Sequence, residues 1–307
     1  MAGDGGSDGG RGSRRVCLAA VQYAMSENMA QDLDKAEKLV REAACRGANI
    51  IVLPVSATAA KQFEFRYFPQ AEDPSKFELA RPFEDNPTLS RCAGLAAELG
   101  VVLLLSHFER AGQAFFNSLA VADADGSIVQ NYRKHHIPDN PGYYEKYYFS
   151  PRAHPSSLPR HTRFGRLGCL VCWDQWFPVA ARAMVLQGAE VLLYPSCIGS
   201  EPSDPDHNSY PHWVRVQQGH AAANNVPLVA ANRIGHEAAG QTEMTFHGGS
   251  FIVGPEGQVV AQEEAVATAS FDLREVAAFR AQWALFRDRR PDRYQPLLTL
   301  DGRQPCS

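Results

Sequence analysis

Short apolar runs alternate with helix-like segments along almost the whole chain, and this alternation restricts the fold more than any other feature. Residues 16–22 and 101–106 have the length and apolar content of buried strands. Between such runs, apolar side chains recur at helical spacing, as in residues 33–43, and Gly100 is placed to end a helix over residues 89–99. Mixed strands and helices of this kind predict an α/β fold with helices outside and sheets within.

Length and charge limit the number of domains and the kinds of partner. The chain has 307 residues and a formal net charge of −4, and no linker rich in Pro, Gly or Ser divides it. Residues 1–14 contain almost no apolar side chains and are predicted to be a disordered tail, so residues 15–302 are predicted to form a single domain. Because there is no basic surplus, no nucleic-acid or acidic-membrane partner is expected, and no apolar stretch is long enough to span a bilayer.

Cysteine usage indicates a reducing compartment. The seven cysteines are an odd number and are scattered through apolar runs. Reduced intracellular proteins use cysteine in this way, whereas small secreted domains pair their cysteines in disulfides. Because residues 1–14 also lack the apolar stretch of a secretory signal, a cytoplasmic protein is predicted.

One cysteine occupies a position typical of a nucleophile. Residues 167–172 are predicted to form a buried strand that ends at Cys172, inside the segment Cys-Trp-Asp-Gln-Trp-Phe-Pro, and a helical pattern follows at residues 179–187. A thiol between a strand end and a helix N-terminus lies where backbone N–H groups and the helix dipole favour its thiolate. The position therefore indicates a catalytic rather than a structural cysteine.

This segment and several others resemble the nitrilase superfamily of carbon–nitrogen hydrolases, and within it most closely the N-carbamoylputrescine amidase branch. The resemblance covers nearly the whole chain, from Arg15 to Gly302. The segments that carry it are residues 172–178, 184–190 (Met-Val-Leu-Gln-Gly-Ala-Glu), 132–134 (Tyr-Arg-Lys), 137–139 (Ile-Pro-Asp), 141–143 (Pro-Gly-Tyr), 198–202 (Ile-Gly-Ser-Glu-Pro) and 286–292 (Phe-Arg-Asp-Arg-Arg-Pro-Asp).

The resemblance implies a covalent mechanism and assigns its parts. Cys172 would be the nucleophile, and Lys134 would stabilise the tetrahedral intermediate and protonate the leaving ammonia. Glu145 would hold the lysine and position the substrate, and the backbone N–H of Trp173 would complete the oxyanion site. The resemblance also implies a four-layer α-β-β-α sandwich and a homo-oligomer to which the C-terminal segment contributes. The implied reaction uses no metal or organic cofactor.

The chain departs from the family where the general-base glutamate is expected. In the family this glutamate directly follows the strand equivalent to residues 50–54, in a run like Leu-Pro-Glu-Leu-Phe-Glu-Gly, whereas here Val55 follows Leu-Pro. Alignment backwards from the downstream Tyr-Phe instead places Lys61 at that position. Neither side chain accepts a proton at neutral pH. Residues 55–62 therefore contain an insertion, and Glu64 could act as the base only if the loop is rebuilt around it.

The implied substrate is a small linear carbamoylated amine, N-carbamoylputrescine. Its protonated amine must be paired when it is desolvated, and Glu201, Asp204 and Asp206 follow a predicted strand in a loop that the family uses near its site. Two alternatives remain open. One is another amidase of the superfamily, similar to β-ureidopropionase. The other is a catalytically impaired paralogue that serves as an assembly or binding subunit, which the missing glutamate favours.

The spacing of cysteines and histidines does not predict a metal site. Cys169 and Cys172 have the spacing of half a zinc site, but residues three apart on a strand point to opposite faces. No second Cys/His pair follows at zinc spacing, and the neighbouring side chains of His135 and His136 should diverge. The predicted partner is thus a small-molecule substrate, with no metal.

Overall fold

The computed structural model describes residues 13–26, 28–55, 68–152, 158–239 and 242–303. The strands in this part of the chain are β1 (Arg15–Val21), β2 (Ile50–Val52), β3 (Val102–Ala111), β4 (Ala114–Ala122), β5 (Ile128–Arg133), β6 (Arg160–Thr162), β7 (Gly165–Cys169), β8 (Val191–Pro195), β9 (Leu228–Ala231), β10 (Ile234–Ala239), β11 (Thr242–His247), β12 (Phe251–Val253), β13 (Val259–Gln262) and β14 (Val266–Asp272). The α-helices are α1 (Met29–Cys45), α2 (Pro87–Leu99), α3 (Glu145–Tyr148), α4 (Pro178–Leu186), α5 (Tyr210–Asn224) and α6 (Leu273–Trp283).

The strands form two six-stranded sheets that share one pattern, together with a ribbon of β10 and β11. The first sheet has the order β14-β1-β2-β3-β4-β5, and the second has the order β13-β12-β9-β8-β7-β6. Three central strands are parallel in each sheet, and the outer strands pair antiparallel. Helices α1 and α2 connect the parallel strands of the first sheet, and α4 and α5 connect those of the second.

The side chains of β1 show how the layers are stacked. Leu18 and Ala20 pack in the core between the two sheets, whereas Ala19 and Val21 pack beneath α1 and α2. This division follows from the two-residue period of a strand, which sends neighbouring side chains to opposite faces. The core between the sheets continues through the second sheet to α4 and α5. The prediction of a four-layer α-β-β-α sandwich is therefore confirmed.

The structure differs from the sequence-based prediction at both ends of the sandwich. The ribbon of β10 and β11, the edge strand β13 and helix α6 were not predicted, because their sequences carry only weak apolar patterns. At the N-terminus, Ser13 and Arg14 were assigned to the tail but are held in place: the Ser13 hydroxyl donates to Asp272 at 2.6 Å, and Arg14 pairs with Glu190 at 2.7 Å.

Among the described residues, no helix has both the length and the apolar character needed to cross a membrane.

Candidate active site

The Cys172 turn begins three residues after β7 and differs from the predicted geometry. The strand was expected to reach Cys172 but ends at Cys169, and a 3₁₀ turn occupies Cys172–Trp176 before α4 begins. Cys172 has a φ of +44°, a left-handed conformation that non-glycine residues rarely adopt and that the surrounding contacts must hold. Backbone strain of this kind is typical of active sites, where the backbone fixes the direction of a functional side chain. The first amides of a helical turn lack partners within the turn, so the N–H of Trp173 is available to an oxyanion.

The thiol of Cys172 is buried, and its pKa lies above the usual value for cysteine. Burial is the largest cause, and the carboxylates of Glu145 and Asp174 act in the same direction. The cation of Lys134 and, to a smaller extent, a hydrogen bond with the backbone of Cys197 lower the pKa, but they do not offset the burial. The expectation that the position would favour the thiolate is therefore wrong: the resting group is the thiol, and a base is needed to deprotonate it.

Lys134 and Glu145 form a buried ion pair beside this thiol. The lysine Nζ lies 2.6 Å from Oε2 of Glu145, and both side chains are almost completely shielded from solvent. Asn117 donates to the same carboxylate oxygen at 3.3 Å. Burial is the largest influence and lowers the pKa of Lys134, but the charge and hydrogen bond of Glu145, together with the other acidic groups around the amine, outweigh it, so the net pKa is raised and the amine is a cation. The pair thus places a fixed positive charge close to the nucleophile.

Two buried polar side chains hold the Cys172 turn, and the sequence did not single them out. Asp174 accepts hydrogen bonds from Tyr132, His136 and the backbone N–H of Val171. The only available signal was their chemistry, since an acid and an amide inside an otherwise apolar segment need buried partners.

Gln175 is the second of these side chains. Its Oε1 accepts from Ser196 at 2.9 Å, from Trp213 at 2.6 Å and from Gln217 at 2.9 Å. The last two donors lie on α5. One amide oxygen therefore joins the Cys172 turn to the segment after β8 and to this helix.

A cavity of about 370 Å³ opens onto Cys172. Aromatic side chains form much of its wall, and Glu201 and Asp204 supply its carboxylates. Asp206, grouped with these two acids from the sequence, lies outside this wall and is exposed. The described lining consists of Pro138, Asn140, Tyr143, Cys172, Trp173, Trp176, Ile198, Glu201, Ser203, Asp204, His207, Ser209 and His212.

Hydrogen bonds and close packing hold the start of the loop that carries Glu201 in place. The N–H of Gly199 donates to the hydroxyl of Tyr143 at 3.1 Å, and Asn232 both donates to and accepts from the backbone of Ile198. A side chain at Gly199 would collide with the backbone of Thr245, since a Cβ there would lie 2.4 Å from its carbonyl oxygen. The Glu201 loop therefore packs tightly against the ribbon of β10 and β11.

The candidate base lies outside the part of the chain that the structure describes. Glu64 and Lys61 both fall within residues 56–67, which are not described. Val55, the last described residue before them, is buried in the same apolar cluster as Cys172. Its N–H donates to the carbonyl of Ser196 at 3.1 Å, one residue before Cys197. Position 55 therefore lies close to the nucleophile. A general base at this position would have to lie equally close to deprotonate the thiol.

A nucleophile, a lysine and a glutamate with this arrangement were expected from the resemblance, and comparison with known proteins supports the family. The carbon–nitrogen hydrolase family model matches residues 17–281. The chain belongs to the carbon–nitrogen hydrolase family. The predicted membership of the nitrilase superfamily is thus confirmed.

Individual members of the carbon–nitrogen hydrolase family match over almost their whole lengths. The N-carbamoylputrescine amidase of Arabidopsis thaliana is 50% identical over 297 residues, which cover 94% of this chain and 97% of that protein. A citrullinase of Francisella tularensis is 43% identical and covers 92% of this chain and 98% of its own. The crystal structure of a carbon–nitrogen hydrolase from Helicobacter pylori superposes with a TM-score of 0.84 at 37% identity, covering 93% and 99% of the two chains.

Proposed function

We propose that the protein is an N-carbamoylputrescine amidase, which releases putrescine, ammonia and carbon dioxide in polyamine biosynthesis. The observation that carries this proposal is the pocket, in which two carboxylates line a cavity that ends at a buried thiol beside a lysine cation. A ureido group can reach the thiol while a protonated amine is paired with acid at the other end. The similarity to plant N-carbamoylputrescine amidases supports the same substrate.

The chemistry follows from the groups around Cys172. A base removes the thiol proton, and sulfur attacks the ureido carbon to give a tetrahedral oxyanion held by the Lys134 cation and the Trp173 N–H. Collapse breaks the bond to the terminal nitrogen, which leaves as ammonia after taking a proton, and a carbamoyl thioester remains. Water attacks this thioester and frees the thiol, and the released carbamate breaks down to carbon dioxide and putrescine. Glu145 keeps the lysine in place throughout.

One relative and one alternative left open by the sequence point to competing substrates, and charge distinguishes these substrates from N-carbamoylputrescine. Citrulline, the substrate named for one relative, and N-carbamoyl-β-alanine, the substrate of a β-ureidopropionase, each carry a carboxylate where N-carbamoylputrescine has only an amine. The described wall contains Glu201 and Asp204, which repel a carboxylate and attract an ammonium group. We therefore place N-carbamoylputrescine ahead of both.

Substitution of Glu201 with glutamine is expected to lower kcat/KM for N-carbamoylputrescine by about 10- to 100-fold. A hydrogen bond to a charged group contributes about 1.5–3 kcal/mol, and the amide keeps the shape but removes the charge. Initial rates of ammonia release with the three ureido compounds measure the effect. Asp206→Asn is the matched control, since that acid lies outside the wall and its loss should change kcat/KM less than twofold. A wild-type enzyme that prefers citrulline or N-carbamoyl-β-alanine would refute the assignment.

We propose that the protein is a homo-oligomer that associates through α4, α5 and the C-terminal segment. Val179 and Leu186 on α4 are about half exposed, at 51% and 46%. Two neighbouring grooves of about 460 and 500 Å³ lie along this surface, and the second is also lined by Leu297. Apolar side chains grouped around such grooves are typical of an interface.

Polar groups at the same surface support this proposal. Nε2 of His220, Oδ1 of Asn224 and Nη1 of Arg182 are shielded from solvent and have no hydrogen-bond partner within the described ranges. All three side chains line the first groove. Buried polar groups are nearly always paired, so a small side-chain rearrangement that turns these atoms toward a second copy of the chain would complete them.

The double substitution Val179→Lys and Leu186→Lys is expected to convert the oligomer to a monomer of 33.7 kDa. Charges buried at an interface cost more than the lost apolar contacts. Light scattering coupled to size-exclusion chromatography measures the mass. Val260→Glu, at a valine 43% exposed on β13, is the control and should leave the mass unchanged. An unchanged mass for the double variant would exclude this surface.

We also propose a cytoplasmic location. The six cysteines in the described part of the chain are free thiols. Unpaired cysteines are usual in a reducing compartment, and the catalytic thiol has to remain reduced to act.

A further inference from the structure

Two residues that flank Lys134 are bound to the same carboxylate. Tyr132 precedes the lysine by two residues, and its hydroxyl donates to Oδ2 of Asp174 at 2.7 Å. His136 follows the lysine by two residues, and it donates to Oδ1 of Asp174 twice: from its backbone N–H at 2.9 Å and from Nδ1 at 2.6 Å. The chain segment that carries the lysine is therefore attached to Asp174 on both sides of Lys134.

The same carboxylate closes the turn that carries the nucleophile. Oδ2 of Asp174 accepts from the N–H of Val171 at 2.9 Å, and the N–H of Asp174 donates to the Val171 carbonyl at 3.0 Å. These two bonds span Cys172, which lies between them in its left-handed conformation. One fully buried side chain thus connects the strained nucleophile turn to the lysine segment.

Among the described residues, the ring of His136 is connected to the nucleophile turn through this carboxylate. The hydrogen bond from His136 helps to lower the pKa of Asp174 despite its burial, so the carboxylate is ionised and accepts hydrogen bonds without donating. Nδ1 of His136 must therefore carry the proton. The ring stacks on Phe177, with 3.7 Å between centroids and 10° between planes, and it does not belong to the described pocket wall.

We propose that His136 and Tyr132 are positioning residues. They act through Asp174 to hold the Lys134 amine at a constant distance from the Cys172 thiol. Neither side chain needs to touch the substrate. Their hydrogen bonds restrict how far the lysine segment and the cysteine turn can move apart, and the transition state depends on that separation because the lysine charge must lie beside the oxyanion.

Two substitutions at His136 separate hydrogen bonding from stacking. His136→Phe keeps an aromatic ring on Phe177 but removes the Nδ1 donor, whereas His136→Asn removes the ring and leaves an amide N–H close to the position of Nδ1. We expect the phenylalanine variant to lose about tenfold in kcat with KM changed less than twofold, because one charge-assisted hydrogen bond is lost. The asparagine variant should remain within about threefold of the wild-type kcat. A role limited to stacking predicts the reverse order.

A second readout requires no substrate. The rate of alkylation of Cys172 by iodoacetamide, followed by peptide mass spectrometry as a function of pH, reports the fraction of thiolate. The Lys134 cation lowers the pKa of this thiol, so displacement of the lysine in His136→Phe should move the alkylation midpoint to higher pH. The midpoint of His136→Asn should match that of the wild type.

The outcomes decide between the alternatives. Wild-type kcat and alkylation in His136→Phe, or equal impairment of the phenylalanine and asparagine variants, would overturn the proposal. If His136→Phe does not fold, Tyr132→Phe carries the same test: it also removes one donor to Asp174, and an unchanged midpoint and kcat there would overturn the proposal. The kcat measurement rests on the proposed function. Absence of hydrolysis by the wild-type protein would count against that function alone, and the alkylation midpoints would still decide the positioning role.

Discussion

Replacement of Cys172 with serine is expected to abolish hydrolysis and to leave the fold and assembly intact. The change replaces one atom, but a serine hydroxyl is a far weaker acid than a thiol and no described group is placed to deprotonate it. Removal of a covalent nucleophile costs many orders of magnitude in well-studied hydrolases, and we expect a loss of at least about 10³-fold in kcat. Ammonia release measures the loss, while circular dichroism and light scattering report fold and mass.

Cys197→Ser is the matched control for this substitution. Cys197 is also fully buried and lies close to the nucleophile, and its backbone carbonyl, which accepts from Cys172, is kept by the substitution. Arg233 approaches its sulfur at 4.0 Å and can donate to a hydroxyl there. Most of the activity should therefore remain. If Cys172→Ser kept activity and Cys197→Ser lost it, Cys197 rather than Cys172 would be the nucleophile.

Replacement of residues 55–62 with Glu-Leu is expected to raise kcat by about 10²–10⁴-fold. General-base catalysis typically contributes this factor, which corresponds to roughly 3–5 kcal/mol of barrier. The need for a base is strong, because burial raises the pKa of the Cys172 thiol and leaves it protonated at neutral pH. A carboxylate at position 55 would enter the cluster that already contains the nucleophile, since Val55 is buried there.

The same replacement with Gln-Leu is the control, because it restores the family's loop length without a carboxylate. Only the Glu-Leu variant should gain activity, as measured by kcat for N-carbamoylputrescine. High activity of the unaltered chain, with no gain on replacement, would show that another carboxylate supplies the base, and Glu64→Gln would then test the nearest candidate in the sequence. Low activity of both the unaltered chain and the Glu-Leu variant would support the alternative of an impaired subunit.

Some parts of the site could be predicted from the sequence because their chemistry lies within contiguous motifs. Cys172 and Lys134 each stand inside a segment whose neighbours identify it, and short apolar runs predicted the central strands. The end of β7 could not be placed in this way: the apolar run continues to Val171, whereas the strand ends at Cys169. Hydrophobicity reports burial, and the turn after Cys169 is as buried as the strand.

Features that depend on contacts between distant segments were not predictable. Asp174 has a role only because residues 132–136 lie against it, and one sequence does not show which segments meet. Glu201 and Asp206 are similar acids in one loop, yet only the first lines the cavity, because the conformation of the loop decides which side chain turns inward. The raised pKa of the Cys172 thiol likewise results from the packing around it rather than from its neighbours in sequence.

Helix α5 contacts both the Cys172 turn and the surface groove, and the side-chain amide of Gln175 makes the contact with the turn. Trp213 and Gln217 donate to Gln175 in the Cys172 turn, and His220 and Asn224, further along the same buried face of the helix, line the surface groove. A rigid helix moves as one body, so it cannot slide or rotate at the groove without moving the donors that hold this turn. The surface groove and the geometry of the nucleophile are therefore mechanically linked along the length of one helix.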